Sequence, residues 1–215
     1  MLGSLDNIVS DMFRGEADAI VRTLDRSLDL ITKSIYLLSS CTRLFTCGAG
    51  ASALVAKEIA GQCLETGIYC YPLTNDLAEA QPISFSLGGY EDEAKLAEYY
   101  SHLANPGDGL ICISASGETG FVYELARIVK SIYKSEVPVI SITENKDSML
   151  ARYSDIVILT KGKPENPSAS KTQTCQLVVG HTLILGLASY RRITDEDMIH
   201  YMVPKKIANK PMGWK

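Results

Sequence analysis

Positive charge is in short supply in this sequence. Its 215 residues carry 21 Lys and Arg against 25 Asp and Glu, a net charge of -4. Binding along a nucleic-acid backbone requires a concentrated basic surface that displaces counterions. We therefore expect no nucleic-acid partner, although a local site can still bind a small anion.

Long apolar runs are also absent. No segment approaches the roughly 18 consecutive apolar residues of a membrane-spanning helix. Residues 1–14 mix acidic and polar residues into their apolar positions and lack the basic and apolar regions of a signal peptide. We expect a cytoplasmic protein with no membrane partner.

Closely spaced cysteine pairs are missing as well, although the chain has six cysteines. None of them forms a CxxC pair, and each lies inside or beside an apolar run: Cys41, Cys47, Cys63, Cys70, Cys112 and Cys175. This distribution does not match the disulfide framework of a small secreted domain. We expect reduced thiols.

Apolar periodicity predicts an α/β fold. From residue 8 to residue 38 apolar residues recur at helical spacing, with a possible break at Gly15, which predicts an N-terminal helical arm. Short apolar runs then alternate with helical stretches, the pattern of βαβ units and a parallel sheet. We expect a three-layer αβα domain with a five-stranded parallel sheet over residues 41–190, an oligomerisation arm over 1–40 and a tail over 191–215. The predicted strands are 44–47, 68–73, 110–114, 137–142 and 156–159, and the predicted helices of this domain are 52–65, 93–103, 119–134 and 172–190.

Two predicted strands end in loops of small residues. Residues 47–52 read Cys-Gly-Ala-Gly-Ala-Ser, and residues 114–119 read Ser-Ala-Ser-Gly-Glu-Thr. In a parallel sheet both loops lie at the carboxyl ends of their strands, where open α/β folds bind ligands. Ser52 and Thr119 are candidate N-caps of the following helices. Because glycines admit close backbone approach and a helix start favours an anion, the loops predict a phosphate site.

The first loop is weak evidence on its own. A dinucleotide-binding fold begins similarly, although Ala53 replaces the third glycine of GxGxxG, and either loop alone is compatible with a tight turn before a capped helix. The second loop favours phosphate. Its three hydroxyls, on Ser114, Ser116 and Thr119, are poorly suited to sheet packing and well suited to phosphate oxygens.

These strand ends resemble those of the sugar isomerase (SIS) family, which match Cys47, Gly48, Gly50 and Ser52 in the first loop and Ser114, Ser116 and Gly117 in the second. The resemblance extends from about residue 20 to residue 187. The helical arm, the insertion between residues 73 and 110 and the C-terminal helix look most like phosphoheptose isomerases, which convert sedoheptulose 7-phosphate. The resemblance implies a flavodoxin-like SIS fold in which the sugar phosphate is held by Ser52, Ser114, Ser116 and Thr119.

The same resemblance implies roles for two residues of the C-terminal helix. Gln173 and His181 match positions where phosphoheptose isomerases carry a metal-site or polar glutamine and a catalytic histidine. Taken alone, a histidine among apolar neighbours is more often a packed residue with a satisfied hydrogen bond. With the family match, we assign His181 to catalysis and Gln173 to substrate binding.

The first helix of the domain departs from that family. In the phosphoheptose isomerases this helix carries a metal-site histidine and a catalytic glutamate. The corresponding positions in this chain are Glu58 and Gln62. An aldose–ketose isomerase needs a base beside the substrate carbonyl, and Gln62 has no titratable proton near neutral pH. We therefore assign Gln62 to substrate binding and Glu58, one turn away, to catalysis, with a structural use of Glu58 as the alternative. Glu65 is expected to be solvated.

These substitutions also weaken the case for a metal. The implied ligand set would be Glu58, Gln62, Gln173 and His181, and two amide oxygens make a poor zinc site. We expect no metal and no other cofactor. His102 and His200 lie outside both motifs and receive no role.

Three functions fit this sequence. The first is an isomerase acting on a sugar phosphate, with Glu58 as base and His181 as acid. The second is a phosphosugar-binding regulatory or scaffold protein without turnover, since fold alone does not decide function. The third is a lyase or etherase acting on an amino-sugar phosphate.

The helical arm implies self-association, because its apolar face must be buried and such arms form bundles between subunits in the resembling family. We expect a homo-oligomer, most simply a tetramer. Sugar specificity is expected to come from the insertion at residues 75–90 and from neighbouring subunits.

Overall fold

The computed structural model of the chain describes residues 5–75, 90–161 and 170–202. The strands are β1 (Arg43–Ala49), β2 (Cys70–Asn75), β3 (Asp108–Ile113), β4 (Val139–Thr143) and β5 (Ile156–Leu159). The helices are α1 (Leu5–Leu38), α2 (Ala51–Glu65), α3 (Tyr90–Ser101), α4 (Gly120–Tyr133), α5 (Met149–Arg152), α6 (Ser170–Tyr190) and α7 (Asp195–Met202).

The five strands form one parallel sheet in the order β2-β1-β3-β4-β5. The predicted fold class, a five-stranded parallel sheet between helical layers, is confirmed. The chain turns from β1 to β2 on one side and then crosses to β3 on the other, so the strand order reverses between β1 and β3. Cys47 of β1 is in register with Cys112 of β3, and both loops predicted to bind phosphate leave the sheet beside this pair. Open α/β folds bind ligands at such a switch point.

Alternating strand residues divide the core into two faces. On one face, Ile111, Ile113, Ile140 and Ile142 pack with residues of α1, α2 and α6, among them Ile59 and Leu183. On the other face, Phe45, Leu110 and Val139 pack with residues of α3 and α4, among them Phe121 and Leu125. Fully burying one such side chain contributes about 1.5–3 kcal/mol. The sheet is therefore covered on both sides, and its carboxyl edge carries the two loops.

Two features of the fold differ from the expectation. Helix α1 continues through Gly15, where a break was considered, and a Cβ there would lie 2.9 Å from Lys171 Nζ. That atom is the flexible end of the Lys171 side chain, so the contact does not require glycine at this position. In the region expected to be a tail, α7 forms over Asp195–Met202, whereas the lysine-rich segment after residue 203 lies outside the described residues.

Helix α7 begins with a capping box. The backbone N–H and hydroxyl of Thr194 both donate to Asp197 Oδ2, at 2.8 and 2.7 Å, and the Asp197 N–H donates back to Thr194 Oγ1. These bonds lower the pKa of Asp197 below its usual value. Threonine followed three residues later by an acid is a sequence signal for a helix start.

Across the described segments, no helix combines the length and hydropathy needed to cross a membrane.

Candidate functional site

The loop after β1 turns sharply into α2. Gly50, with φ of 55°, caps the start of α2, which corrects the expectation that Ser52 is the N-cap. A Cβ on Gly48 would lie 2.4 Å from the Ser52 carbonyl oxygen, so the turn requires glycine at that position. Ser52 lies instead in the first turn of α2, and its hydroxyl donates to Gln176 Oε1 on α6 over a long 3.4 Å.

The loop after β3 is closed by its own hydroxyls. Ser114 Oγ accepts from the Gly117 N–H at 3.1 Å and lies 3.0 Å from Thr119 Oγ1. Thr119 is the N-cap of α4, as expected, but its side chain makes no capping bond. Ser116 Oγ accepts from the Glu118 N–H at 3.1 Å. The loop is therefore ordered by bonds in which its hydroxyls act mainly as acceptors.

This arrangement leaves hydroxyl protons available to an anion. A serine hydroxyl has one proton and two acceptor sites. Ser116 uses an acceptor site for Glu118, so its proton can still be donated to a ligand. Ser114 and Thr119 share one bond between them, which occupies one of their two protons. The loop therefore presents two donors at the switch point.

The start of α4 already holds one anionic oxygen. Glu93 Oε2 of α3 accepts from the backbone N–H of Phe121 at 3.0 Å. The positive end of a helix dipole favours such a carboxylate. This contact occupies one of the four N–H groups that a helix start leaves without a helical partner. A phosphate at this helix start would therefore have to use the loop and the N–H groups that precede Phe121.

The predicted catalytic pair lies on facing helices. Glu58 Oε1 of α2 is 4.0 Å from His181 Nε2 of α6, which is too long for a hydrogen bond. The Glu58 side chain is 64% exposed and that of His181 is 33% exposed. The helices approach closely at Gly180, where a Cβ would lie 2.1 Å from Ile59 Cδ1. The glycine therefore helps set the separation of the pair.

Three buried polar atoms on these helices have no hydrogen-bond partner within the described residues: Gln62 Oε1, Gln176 Nε2 and His181 Nε2. Gln62 and His181 were predicted from the sequence, whereas Gln176 was missed. The available signal was a single amide beside Cys175 and Leu177 in a helix whose other buried residues after Thr172 are apolar or glycine. The other predicted glutamine, Gln173, is half-buried in the first turn of α6.

The cysteines nearest the loops are buried thiols. Burial raises the pKa of Cys47 well above its usual value, and the neighbouring Cys112 thiol raises it further. All six cysteines are buried and free of disulfides. Neutral thiols in an apolar strand pair act as packing groups.

The residues described contain no group of three or more His, Cys, Asp and Glu side chains that could hold a metal ion.

Residues 85–186 match the SIS domain, a phosphosugar isomerase-type fold family. The matched segment makes up just under half of the chain. This match confirms the predicted family and lies on the part of the chain that contains the second loop and α6.

Relatives of this chain include an uncharacterized HTH-type transcriptional regulator of Thermotoga maritima, which is 30% identical over 85% of the chain and 59% of the regulator. An arabinose 5-phosphate isomerase of Escherichia coli K12 is 28% identical over 85% of the chain and 52% of the isomerase. The chain thus spans little more than half the length of these two relatives.

Solved structures of other proteins share the fold of this chain. An E. coli CFT073 protein in complex with a sugar phosphate superposes with a TM-score of 0.73 at 22% identity, covering 94% of this chain and all of that one. The Vibrio vulnificus NanR protein complexed with ManNAc-6P has a TM-score of 0.70 at 18% identity, over 94% of this chain and 68% of that one. A Neisseria gonorrhoeae phosphoheptose isomerase has a TM-score of 0.66 at 22% identity, over 86% of this chain and all of that one.

Proposed function

We propose that this SIS domain binds a sugar phosphate between the β1 and β3 loops and interconverts its aldose and ketose forms. The observation that carries this proposal is the placement of Glu58 and His181 on helices that both border the switch point. Ser52 and Glu58 are six residues apart on α2, about 9 Å along its axis. The carbon chain of a monosaccharide phosphate can span that distance, with its phosphate at Ser52 and its carbonyl end at Glu58.

The proposed chemistry transfers protons within the substrate. The Glu58 carboxylate takes the proton from the carbon beside the carbonyl, and the released electron pair forms the double bond of an enediol. His181 moves the proton between the two neighbouring oxygens. Glu58 then returns a proton to the other carbon, so that substrate and product are isomers and Glu58 is regenerated. Such general acid–base steps typically accelerate a reaction 10²–10⁴-fold.

Gln62 favours a second candidate, a phosphosugar-binding regulator without turnover. This residue stands at the position of the resembling family's catalytic carboxylate, and its amide cannot act as a base. The similarity to an uncharacterized HTH-type transcriptional regulator supports the same alternative. In that case the loops bind phosphate as proposed, but the Glu58–His181 pair has no catalytic role.

Several finer expectations stay predictions. They are the preference for sedoheptulose 7-phosphate, the homotetramer and the cytoplasmic location. Arabinose 5-phosphate is a second candidate ligand because isomerases of that sugar are among the relatives. The insertion expected to set sugar specificity falls largely on residues 76–89, which lie outside the described residues.

The proposed function is tested in two stages. Calorimetry with arabinose 5-phosphate, sedoheptulose 7-phosphate and unphosphorylated arabinose tests the phosphate site. We expect the unphosphorylated sugar to bind at least about tenfold more weakly, because charge-assisted hydrogen bonds are lost. Equal affinity for arabinose and its phosphate would contradict the site. Turnover of the sugars that bind, followed by NMR, then separates the isomerase from the regulator.

A further inference from the structure

Gln176 is an unusual residue for the core. Its side chain on α6 is fully buried, with 0% exposure. One end of its amide lies 3.4 Å from Ser52 Oγ, and the other end has no hydrogen-bond partner within the described segments. A buried unpartnered polar atom typically costs about 1–3 kcal/mol, so this amide calls for an explanation.

The direction of the Ser52–Gln176 bond matters for the phosphate. With the Ser52 hydroxyl donating to Gln176 Oε1, its single proton is occupied. An ionised phosphate oxygen accepts hydrogen bonds and does not donate them. In this arrangement Ser52 has no proton to offer the phosphate, although it lies in the first turn of α2, directly after the loop at the switch point.

A half-turn of the amide removes this conflict. It exchanges the oxygen and nitrogen positions, so that the Gln176 amide N–H donates to Ser52 Oγ. The two arrangements place atoms of similar size in the same positions. Ser52 then accepts from Gln176 and can direct its own proton to the ligand.

We propose that Gln176 is a positioning residue for the phosphate: with ligand bound, its amide N–H donates to Ser52 Oγ and turns the Ser52 proton toward a phosphate oxygen. This proposal rests on the proposed sugar-phosphate site. It assigns a role in ligand binding to a buried residue of α6 that does not itself contact the phosphate. Ligand affinity then depends on which hydrogen-bonding groups residue 176 can present.

Two substitutions separate this role from packing. Gln176→Met keeps a similar size but cannot donate to Ser52, and it removes the unpartnered amide, so the melting temperature should stay equal or rise. Gln176→Glu only accepts when its carboxyl is ionised, and it then holds the Ser52 proton and adds a negative charge near the phosphate; burial raises the pKa of this carboxyl, and its protonated form can still donate. The proposal therefore predicts weaker binding from a variant that is at least as stable as the wild type.

The test is a double-mutant cycle with Ser52→Ala, using inorganic phosphate as the probe and ³¹P NMR titration as the measurement. Gln176→Met should weaken binding by about fivefold or more when Ser52 is present and by less than about twofold in the Ser52→Ala background, since a lost net hydrogen bond has this size. Gln176→Glu should weaken it by more than about tenfold at a pH where the new carboxyl is ionised. The exposed α6 substitution Ser189→Ala serves as the control and should leave the affinity unchanged.

Three results would overturn the proposal. Wild-type affinity in Gln176→Met would exclude a role of the amide, and equal losses in both backgrounds would show that residue 176 acts through packing alone. Both results leave the phosphate site intact. No phosphate-dependent shift with the wild type, together with no binding of either sugar phosphate, would overturn the proposed function as well.

Discussion

Glu58 Oε1 and His181 Nε2 face each other at 4.0 Å across the contact between α2 and α6. This distance is longer than a hydrogen bond, so the two side chains are not hydrogen-bonded to each other. Burial also leaves His181 Nε2 without another partner among the residues described. The Glu58 carboxylate is therefore exposed to a ligand, whereas the buried His181 Nε2 must first become accessible by a side-chain movement in the isomerisation proposed here.

Replacing Glu58 tests its role as the base. Glu58→Gln should lower kcat by about 10²–10⁴-fold, because the amide cannot take a proton, while the affinity for a sugar phosphate should change by less than about twofold. Steady-state kinetics and calorimetry measure the two effects. Glu65→Gln, an exposed carboxylate on the same helix, is the matched control and should retain the full rate. A full rate in Glu58→Gln would exclude Glu58 as the base.

The second loop is tested at Ser116. Ser116→Ala removes a hydroxyl whose proton is free to be donated, and should weaken sugar-phosphate binding by about tenfold or more. Calorimetry measures the loss. Ser39→Ala, which removes a hydroxyl bonded to the Tyr36 carbonyl before the amino end of β1 and so at the opposite edge of the sheet from both loops, should bind normally. Unchanged affinity in Ser116→Ala would remove this loop from the phosphate site.

Gly180 tests the spacing of α2 and α6. A Cβ there would lie 2.1 Å from Cδ1 of the fully buried Ile59, so Gly180→Ala should destabilise the protein by about 1–3 kcal/mol through overpacking. It should also slow turnover, because the two helices carry Glu58 and His181. Urea unfolding and kinetics measure both effects.

Gly61 provides the control for that substitution. A Cβ on Gly61 of α2 would meet nothing within 4 Å. Gly61→Ala should therefore stabilise the protein by about 0.4–1 kcal/mol and leave the rate unchanged. Equal stability of the Gly180→Ala and Gly61→Ala variants would show that the contact between α2 and α6 accommodates the added methyl group without loss of stability.

Self-association is tested on α1. The first turns of this helix expose large apolar side chains, among them Val9 at 57% and Phe13 at 78%. Such a surface is expected to be covered by another chain. Light scattering at micromolar concentration should show an oligomer, and the double substitution Val9→Glu with Phe13→Glu should reduce its mass. A stable wild-type monomer would contradict the predicted homo-oligomer.

The parallel sheet and its two loops could be predicted because their signals are local. Short apolar runs between helical stretches predict parallel strands, and glycines at residues 48, 50 and 117 mark turns at strand ends. The strand bounds were less accurate. Strand β2 begins at Cys70, two residues later than predicted, and includes Thr74 and Asn75, which are polar but buried. Hydropathy could not identify these last two residues as part of the strand.

Contacts between residues far apart in the chain could not be predicted from the sequence. Ser52 was expected to cap α2, but the cap depends on the backbone angles of Gly50, which composition does not determine. Gln176 lies 124 residues from its partner Ser52, and no local pattern relates the two. Helix α7 is different, because the Thr194–Asp197 capping box was visible in the sequence and was missed.

Proton exchange tests the central claim most directly. A sugar phosphate that binds the protein, arabinose 5-phosphate first, is incubated with the wild type in D₂O, and the proton on the carbon beside the carbonyl is followed by NMR. Enediol formation exchanges this proton even when net turnover is slow. The isomerase proposal predicts that its signal disappears with wild type and does so at least about 100-fold more slowly with Glu58→Gln. Retention of the signal with every sugar phosphate that binds would contradict the isomerase and leave the phosphosugar-binding regulator.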